Sequence, residues 1–426
     1  MQQNLVERDL AAVWHPYTQM QTAPPPIPII KGKDAWLTDE SGNEYIDAIS
    51  SWWVNIHGHG NDYIAEKIAE QAKTLEHCIF AGFTHRPAVE LAEKLLKILP
   101  GNPSKIFYSD NGSTAVEVAL KMAIQYWHNR GIKKNKILAF KHAYHGDTFG
   151  AMSVSGRSIF TRAFDEYLFE VEFIDLPDKE NLPALLPVLN EPQYAAFIFE
   201  PLLLGSGGML MYEADALNQL LHACRKNNIL IIADEVLTGF GRTGKKFAMD
   251  HVEEKPDIIC LSKGITGGTM ALGATACTQQ IYDAFLSDDK LKTLFHGHSY
   301  TANPVACAAA LASMDLFTSR ECGDNISRIV AAHKKFCEKI KGHPAIKNLR
   351  QTGTVIAFEV IAEGEDSYTS NIRDFLYDFF LQRKIILRPL GNTLYMMPPY
   401  CITDAQLESV YKAIEALLQT LTRAGK

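Results

Sequence analysis

Short, almost wholly apolar runs alternating with helix-period stretches constrain this chain more than any other feature. From about Pro87 they include KIFYSD, KILAFK, AAFIFEP, ILIIADE and DIICLSK, each bounded by turn residues or a helical pattern. A strand apolar on both faces belongs in a sheet that helices cover on both sides. Alternation of such strands with helices predicts a doubly wound, mostly parallel α/β sheet. A chain of 426 residues, 47% hydrophobic and 21% charged, has enough apolar material for that core and a second domain. After about Met314 the pattern changes to a helix rich in Lys and Arg (325–341), strands around TVIAFEV and TLYMMPP, and an amphipathic helix from Asp404. We read a large domain over 66–315 and a smaller α+β domain over 316–426. The N-terminal segment 1–65 completes the smaller one, and its AWLTDESGNEYID predicts a hairpin through Ser41-Gly42.

A net charge of -7 gives no concentrated basic surface, so no nucleic-acid partner is expected. The eight cysteines lie far apart without a CxxC pair, which suits a reducing compartment. MQQNLVERDL lacks a secretory apolar segment, and no stretch approaches the ~18 apolar residues of a membrane span. A cytoplasmic protein away from membranes is the expectation.

Ligands of open α/β sheets collect at the carboxyl ends of the strands, and four features fall there. In SDNGSTAVEVALKMA a strand gives way to Asn111-Gly112-Ser113-Thr114 and a periodic helix, a start that can cradle a phosphate or simply cap the helix. Asp234 ends ILIIADE, where a carboxylate needs a cationic or donor partner; a protonated pyridine nitrogen is one, and an ordinary turn is the plainer reading. Lys263 ends DIICLSK before a glycine-rich loop, where partial desolvation makes it a candidate imine-forming nucleophile, or a snorkelling surface lysine. HAYHGDTFGAMS offers Tyr144 as a ring to stack on a ligand. Together, phosphate cradle, Asp and Lys are the handles that pyridoxal 5′-phosphate (PLP) requires. His142/His145, His57/His59 and His296/His298 lack a ligand array of Cys or carboxylate, so no metal is expected.

Three longer motifs, DEVLTGFGRTG (Asp234 to Gly244), PDIICLSKGITGG (Pro256 to Gly268) and HSYTANPVACAAALA (His298 to Ala312), resemble those of class III aminotransferases. The likeness covers nearly the whole chain. WHPYTQM, Trp52-Trp53 before HGHG, FAGFTHRPAVEL, YHGDTFGAMSVSG and RPLGNTLYMMPPY narrow it to the branch that serves biotin synthesis. The resemblance implies the aspartate aminotransferase-like fold type I, and Lys263 as Schiff-base lysine with Asp234 on the pyridine nitrogen. It further implies Gly112 and Ser113 at the phosphate, Tyr144 and Val236 on the two ring faces, and Gly297, His298 and Ser299 reaching the site of a homodimeric partner. Members of the branch have Pro-Thr where this chain has His298-Ser299, and Ser keeps the hydroxyl. Arg388 is implied at the substrate carboxylate. Tyr17, counted among the catalytic groups, lines the substrate pocket with Trp52 and Trp53. Were Trp52-Trp53 a strand, alternation would turn only one of them to the pocket. Glu200, Asp147 and Arg242 have supporting, charge-pairing places.

The implied reaction is ping-pong amino transfer from S-adenosyl-L-methionine to 8-amino-7-oxononanoate, giving 7,8-diaminononanoate. The alternatives are another class III aminotransferase using lysine or an ω-amino acid, and a non-catalytic PLP-binding protein.

Overall fold

The computed structural model describes residues 4–361 and 372–424. Strands β1 (Ile29–Lys33), β2 (Trp36–Asp39) and β3 (Glu44–Asp47) form an antiparallel meander. The hairpin expected through Ser41-Gly42 is present: Trp36 pairs with Ile46, and Gly42 takes a φ of 82°, a left-handed conformation natural to glycine. Then come β4 (Pro103–Ser109), β5 (Lys136–Phe140), β6 (Glu172–Ile174) and β7 (Tyr194–Phe199). A short pair, β8 (Leu203–Leu204) and β9 (Leu210–Met211), precedes β10 (Leu230–Asp234), β11 (Ile258–Leu261) and β12 (Gly273–Thr278). The last strands are β13 (Ile346–Thr352), β14 (Val355–Val360), β15 (Ile385–Ile386) and β16 (Thr393–Met396).

Seven strands build the central sheet in the order β4-β12-β11-β10-β7-β5-β6. Only β12 runs against its neighbours, so the sheet is mostly parallel, as the apolar runs predict. Every residue of β7, β10 and β11 is buried. Successive side chains of β7 leave on opposite faces. Ala196 and Ile198 belong to one buried cluster with Ala115, Val116 and Ala119 of the helix Gly112–Asn129, whereas Phe197 and Phe199 belong to another with Leu217, Leu220 and Leu221 of the helix Ala214–Lys226. Each fully buried Leu, Ile or Phe contributes about 1.5–3 kcal/mol, so two covered faces make the sheet a rigid platform. Because the other six strands run one way, the loops leaving β4, β5, β7, β10 and β11 emerge on one edge.

A second region packs beside that edge. Strands β13, β14 and β16 form an antiparallel sheet, while β15 pairs in parallel with β3 through Ile385 and Ile46. The N-terminal meander is thus completed by a strand from near the other end of the chain. The helices Arg320–Ile340 and Asp404–Ala424 cover this region, and Phe336 stacks on Tyr411 at 4.2 Å. No described helix is long and apolar enough to cross a membrane.

Candidate active site

A cavity of about 580 Å³ opens at the carboxyl edge of the sheet. On one side is the start of the helix Gly112–Asn129, capped by Asn111, whose side chain accepts from Thr114 N–H at 2.9 Å. The N–H groups of the first helical turn have no partner within their own helix. Small residues let the main chain close in around them. A Cβ on Gly112 would lie 2.8 Å from Val236 Cγ1, and one on Gly146 would lie 2.0 Å from Ser113 Oγ. This is an anion cradle of backbone donors in which only glycine fits at 112 and 146.

Asp234, the last residue of β10, is 3% exposed. Its carboxylate accepts from Val236 N–H at 3.0 Å and meets His145 Nδ1 at 2.7 Å. A carboxylate only accepts, so Nδ1 carries the proton of that bond. His145 Nε2 is buried and has no hydrogen-bond partner among the described residues. Asp234 lines the cavity and is held from behind, an arrangement suited to a cationic N–H of a ligand. Glu200, beyond the end of β7, accepts from Tyr144 N–H at 2.9 Å and Gly205 N–H at 3.0 Å. Burial holds its carboxyl above the usual carboxylate range.

Lys263 lies two residues past β11 with φ at 47°, a left-handed conformation that costs a non-glycine residue energy. Gly267 and Gly268, also left-handed, turn the following loop back against His57 and Val54. The Lys263 Nζ stands 4.7 Å from the centre of the Trp53 ring. Burial lowers its pKa to about 8, against the opposing pull of Asp234 and Glu200. The sign is that of a lysine losing its charge early: below about 8 the ammonium dominates, and above it the free amine does. Reductive methylation of ligand-free protein, followed by peptide mass, should therefore label Lys263 with a midpoint near 8, well below that of an exposed lysine. A midpoint shared with surface lysines would refute the desolvated amine.

At the mouth, Tyr17 makes an edge contact with Trp52 at 5.7 Å and with Phe160 at 5.6 Å. Its hydroxyl donates to Asp147 and lies 3.2 Å from the Tyr144 hydroxyl. The Arg388 guanidinium sits over Trp52 at 5.0 Å, and no carboxylate of the described residues pairs with it.

Gly112, Ser113, Tyr144, Val236, Asp234, Lys263, Tyr17, Trp52, Trp53 and Arg388 all line this one cavity, as do Glu200 and Asp147. Two expected features differ. Trp52-Trp53 is not on a strand but in a tight turn, Ser50–Trp53, with positive φ at Ser50, Ser51 and Trp53. The turn breaks the alternation and lets both rings face the cavity, Trp52 at 44% exposure and Trp53 at 6%. Arg242 is fully buried and outside the cavity lining; it donates to the carbonyls of Pro398 and Trp53 and stands 5.3 Å from the centre of the Tyr400 ring, and no carboxylate of the described residues forms an ion pair with it. Gly297, His298 and Ser299 do not line the cavity of their own chain. His298 Nε2 instead stands 4.0 Å from Asp110 Oδ1, and Nδ1 accepts from Tyr300 N–H at 3.1 Å.

Sequence reasoning missed His145 as the partner of Asp234 and Tyr395, whose hydroxyl accepts from the Trp53 indole at 2.9 Å. Both sit in motifs quoted for other residues, but the partner of each lies far away in sequence. Among the described residues no group of three His, Cys, Asp or Glu could hold a metal ion. The groups present fit a phosphate-bearing pyridine: an anion cradle, a carboxylate braced by a histidine, and a desolvated amine share one cavity.

The comparisons with known proteins agree with that fit. Residues 17–418 match the sequence profile of the class-III aminotransferases. The chain is 47% identical to the adenosylmethionine-8-amino-7-oxononanoate aminotransferase of Synechococcus elongatus over 96% of this chain and 99% of the relative. The enzyme of that name from Staphylococcus aureus is 35% identical, with 98% of each chain covered. The crystal structure of the Methanocaldococcus jannaschii enzyme of that name superposes with a TM-score of 0.91 at 36% identity, over 97% of this chain and 98% of the other. An omega transaminase from Pseudomonas jessenii, solved in complex with PMP, superposes with a TM-score of 0.93 at 25% identity over 99% of each chain. With this agreement along nearly its whole length, the chain belongs to the class-III aminotransferases, a family of fold type I enzymes that use PLP.

Proposed function

We infer that the protein transfers the amino group of S-adenosyl-L-methionine to 8-amino-7-oxononanoate, forming 7,8-diaminononanoate for biotin synthesis. The observation that carries this reading is one cavity with Lys263 and the Asp234–His145 pair at its base and Tyr17, Trp52 and Arg388 at its mouth. The full-length likeness to relatives named for that reaction supports it.

Lys263, Asp234 and the Gly112–Ser113 cradle would hold PLP, with Tyr144 and Val236 lining the same cavity. The bound cofactor supplies an electron sink for the carbon that gives up its proton. Lys263 moves that proton off and back onto the substrate carbon bearing the nitrogen, a task suited to an amine whose pKa is drawn toward neutrality. Asp234 keeps a positive N–H in place, and His145 fixes the orientation of Asp234. Arg388 takes the terminal carboxylate of 8-amino-7-oxononanoate, with Trp52 and Tyr17 along the alkyl chain. The two substrates use the cavity in turn, the donor leaving as its keto acid before the acceptor enters.

The protein works as a homodimer in which Gly297, His298 and Ser299 reach the site of the second copy. Their place outside their own cavity, beside the exposed Phe295 and Tyr300, supports this. Eight free cysteines support a reducing cytoplasm. The division at about 65 and 315 sets the sheet platform apart from the region that carries Arg388.

The test is incubation with 8-amino-7-oxononanoate and, separately, adenosylmethionine, lysine and an ω-amino acid, with the product identified by mass. The expected result is 7,8-diaminononanoate with adenosylmethionine. Product with lysine alone would overturn the donor, and no product with any donor would overturn the reaction.

A further inference from the structure

Beside the catalytic cavity lies a second chamber of about 520 Å³. The two share a wall: Tyr144, Gly146, Asp147, Phe160, Ser206 and Leu390 line both. That wall is the cluster at the mouth, where Tyr17 bonds Asp147 and Tyr144 and its ring meets Phe160. The chamber therefore adjoins the reaction site across a partition of aromatic rings and one carboxylate.

Its far side is built from three segments. The turn at Gly207-Gly208 presents main chain only; a Cβ on Gly207 would lie 2.4 Å from the His142 carbonyl, and Gly208 takes φ of 92°. Arg350 holds this turn by donating to the carbonyls of Gly208 at 2.6 Å and Met209 at 2.7 Å. The same guanidinium donates to Glu359 at 3.2 Å, and Asn348 donates to the other carboxylate oxygen at 2.9 Å. Each carboxylate oxygen has room for a further donor, so Glu359 faces the chamber as a fixed acceptor pair. Ile159 and Leu210 add apolar surface.

We propose that this chamber is the subsite for the nucleoside portion of the amino donor. The inference rests on the donor assigned above and adds where its larger half goes. The catalytic cavity must take the cofactor together with the reacting end of each substrate, and only the donor carries a flat base and a ribose. A flat base fits the side-chain-free face at Gly207-Gly208 against Ile159. A ribose diol is a pair of donors of the kind a fixed carboxylate accepts, which is the place of Glu359. The sulfonium linking nucleoside to amino acid then falls at the partition, beside Asp147 and the rings of Tyr17, Tyr144 and Phe160, where a cation is favoured. The acceptor has no nucleoside and leaves the chamber unused, so one site serves two unlike substrates.

Ile159→Trp adds bulk on the chamber side: Ile159 lines the chamber and not the catalytic cavity, and at 51% exposure its replacement spares the fold. Each half-reaction is followed separately by absorbance, with adenosylmethionine in one and 7,8-diaminononanoate in the other. The expected result is a donor affinity weakened by about tenfold or more, with the diamine affinity within about twofold of the wild type. The intact diamine half-reaction also shows that the variant is folded. Unchanged donor affinity overturns the proposal, as does equal loss for both substrates, which would make the chamber a common passage. If the wild type reacts with the diamine but not with adenosylmethionine, the donor assignment itself fails, a result distinct from any effect of the variant.

Discussion

Lys263→Ala protein is expected to lose turnover by about 10⁴-fold or more while still binding PLP without a covalent link. The side chain is the amine at the base of the cavity, and among the described residues no other lysine lines it. The cradle at Gly112 and Ser113 and the Asp234–His145 pair remain, so the cofactor keeps its phosphate and nitrogen contacts. Borohydride treatment and intact mass separate the two forms: the wild type gains the cofactor's mass, and the variant does not. Substantial turnover by the variant, or cofactor mass still fixed to it, would remove Lys263 from its role.

The second large effect is expected from Asp234→Asn, with kcat lower by roughly 10²–10³ and the fold unchanged. An amide fills the same space and its oxygen still accepts from His145 Nδ1, but it carries no charge to hold a cationic N–H. The sheet should keep its packing, because Ile231, Ile232 and Ala233 supply the apolar contacts of this strand. Thermal unfolding near that of the wild type, together with the lost rate, would identify an electrostatic role. Wild-type kinetics in the variant would mean that the carboxylate does not stabilise the reacting state, and a large fall in melting temperature would make its role structural.

These two residues were legible in the sequence for a physical reason. A carboxylate and a lysine at the ends of continuous apolar strands stand out against the runs that precede them, and a parallel sheet brings such ends to one edge. The order of the strands was not legible. GATACT, β12, has nothing in its composition to say that it enters between β4 and β11 in the opposite direction. The turn at Ser50–Trp53 was hidden for a related reason: three residues with side chains take left-handed conformations there, and no glycine announces them. His145 was weighed as one of two histidines three residues apart, whereas its partner lies 89 positions away on another strand. The second chamber escaped notice because its lining comes from four stretches of chain that no local pattern connects.

The pairing of β15 with β3 sets a condition on how the molecule is made. Ile46 waits for Ile385, so during synthesis the early meander keeps an open edge until the long stretch of chain between them has been made. Closure of that edge is a contact of very long sequence separation, a class that forms slowly. It also brings the segment bearing Arg388 into register behind Ile386, so the mouth of the cavity where Arg388 lies is assembled only when these two distant segments have found each other.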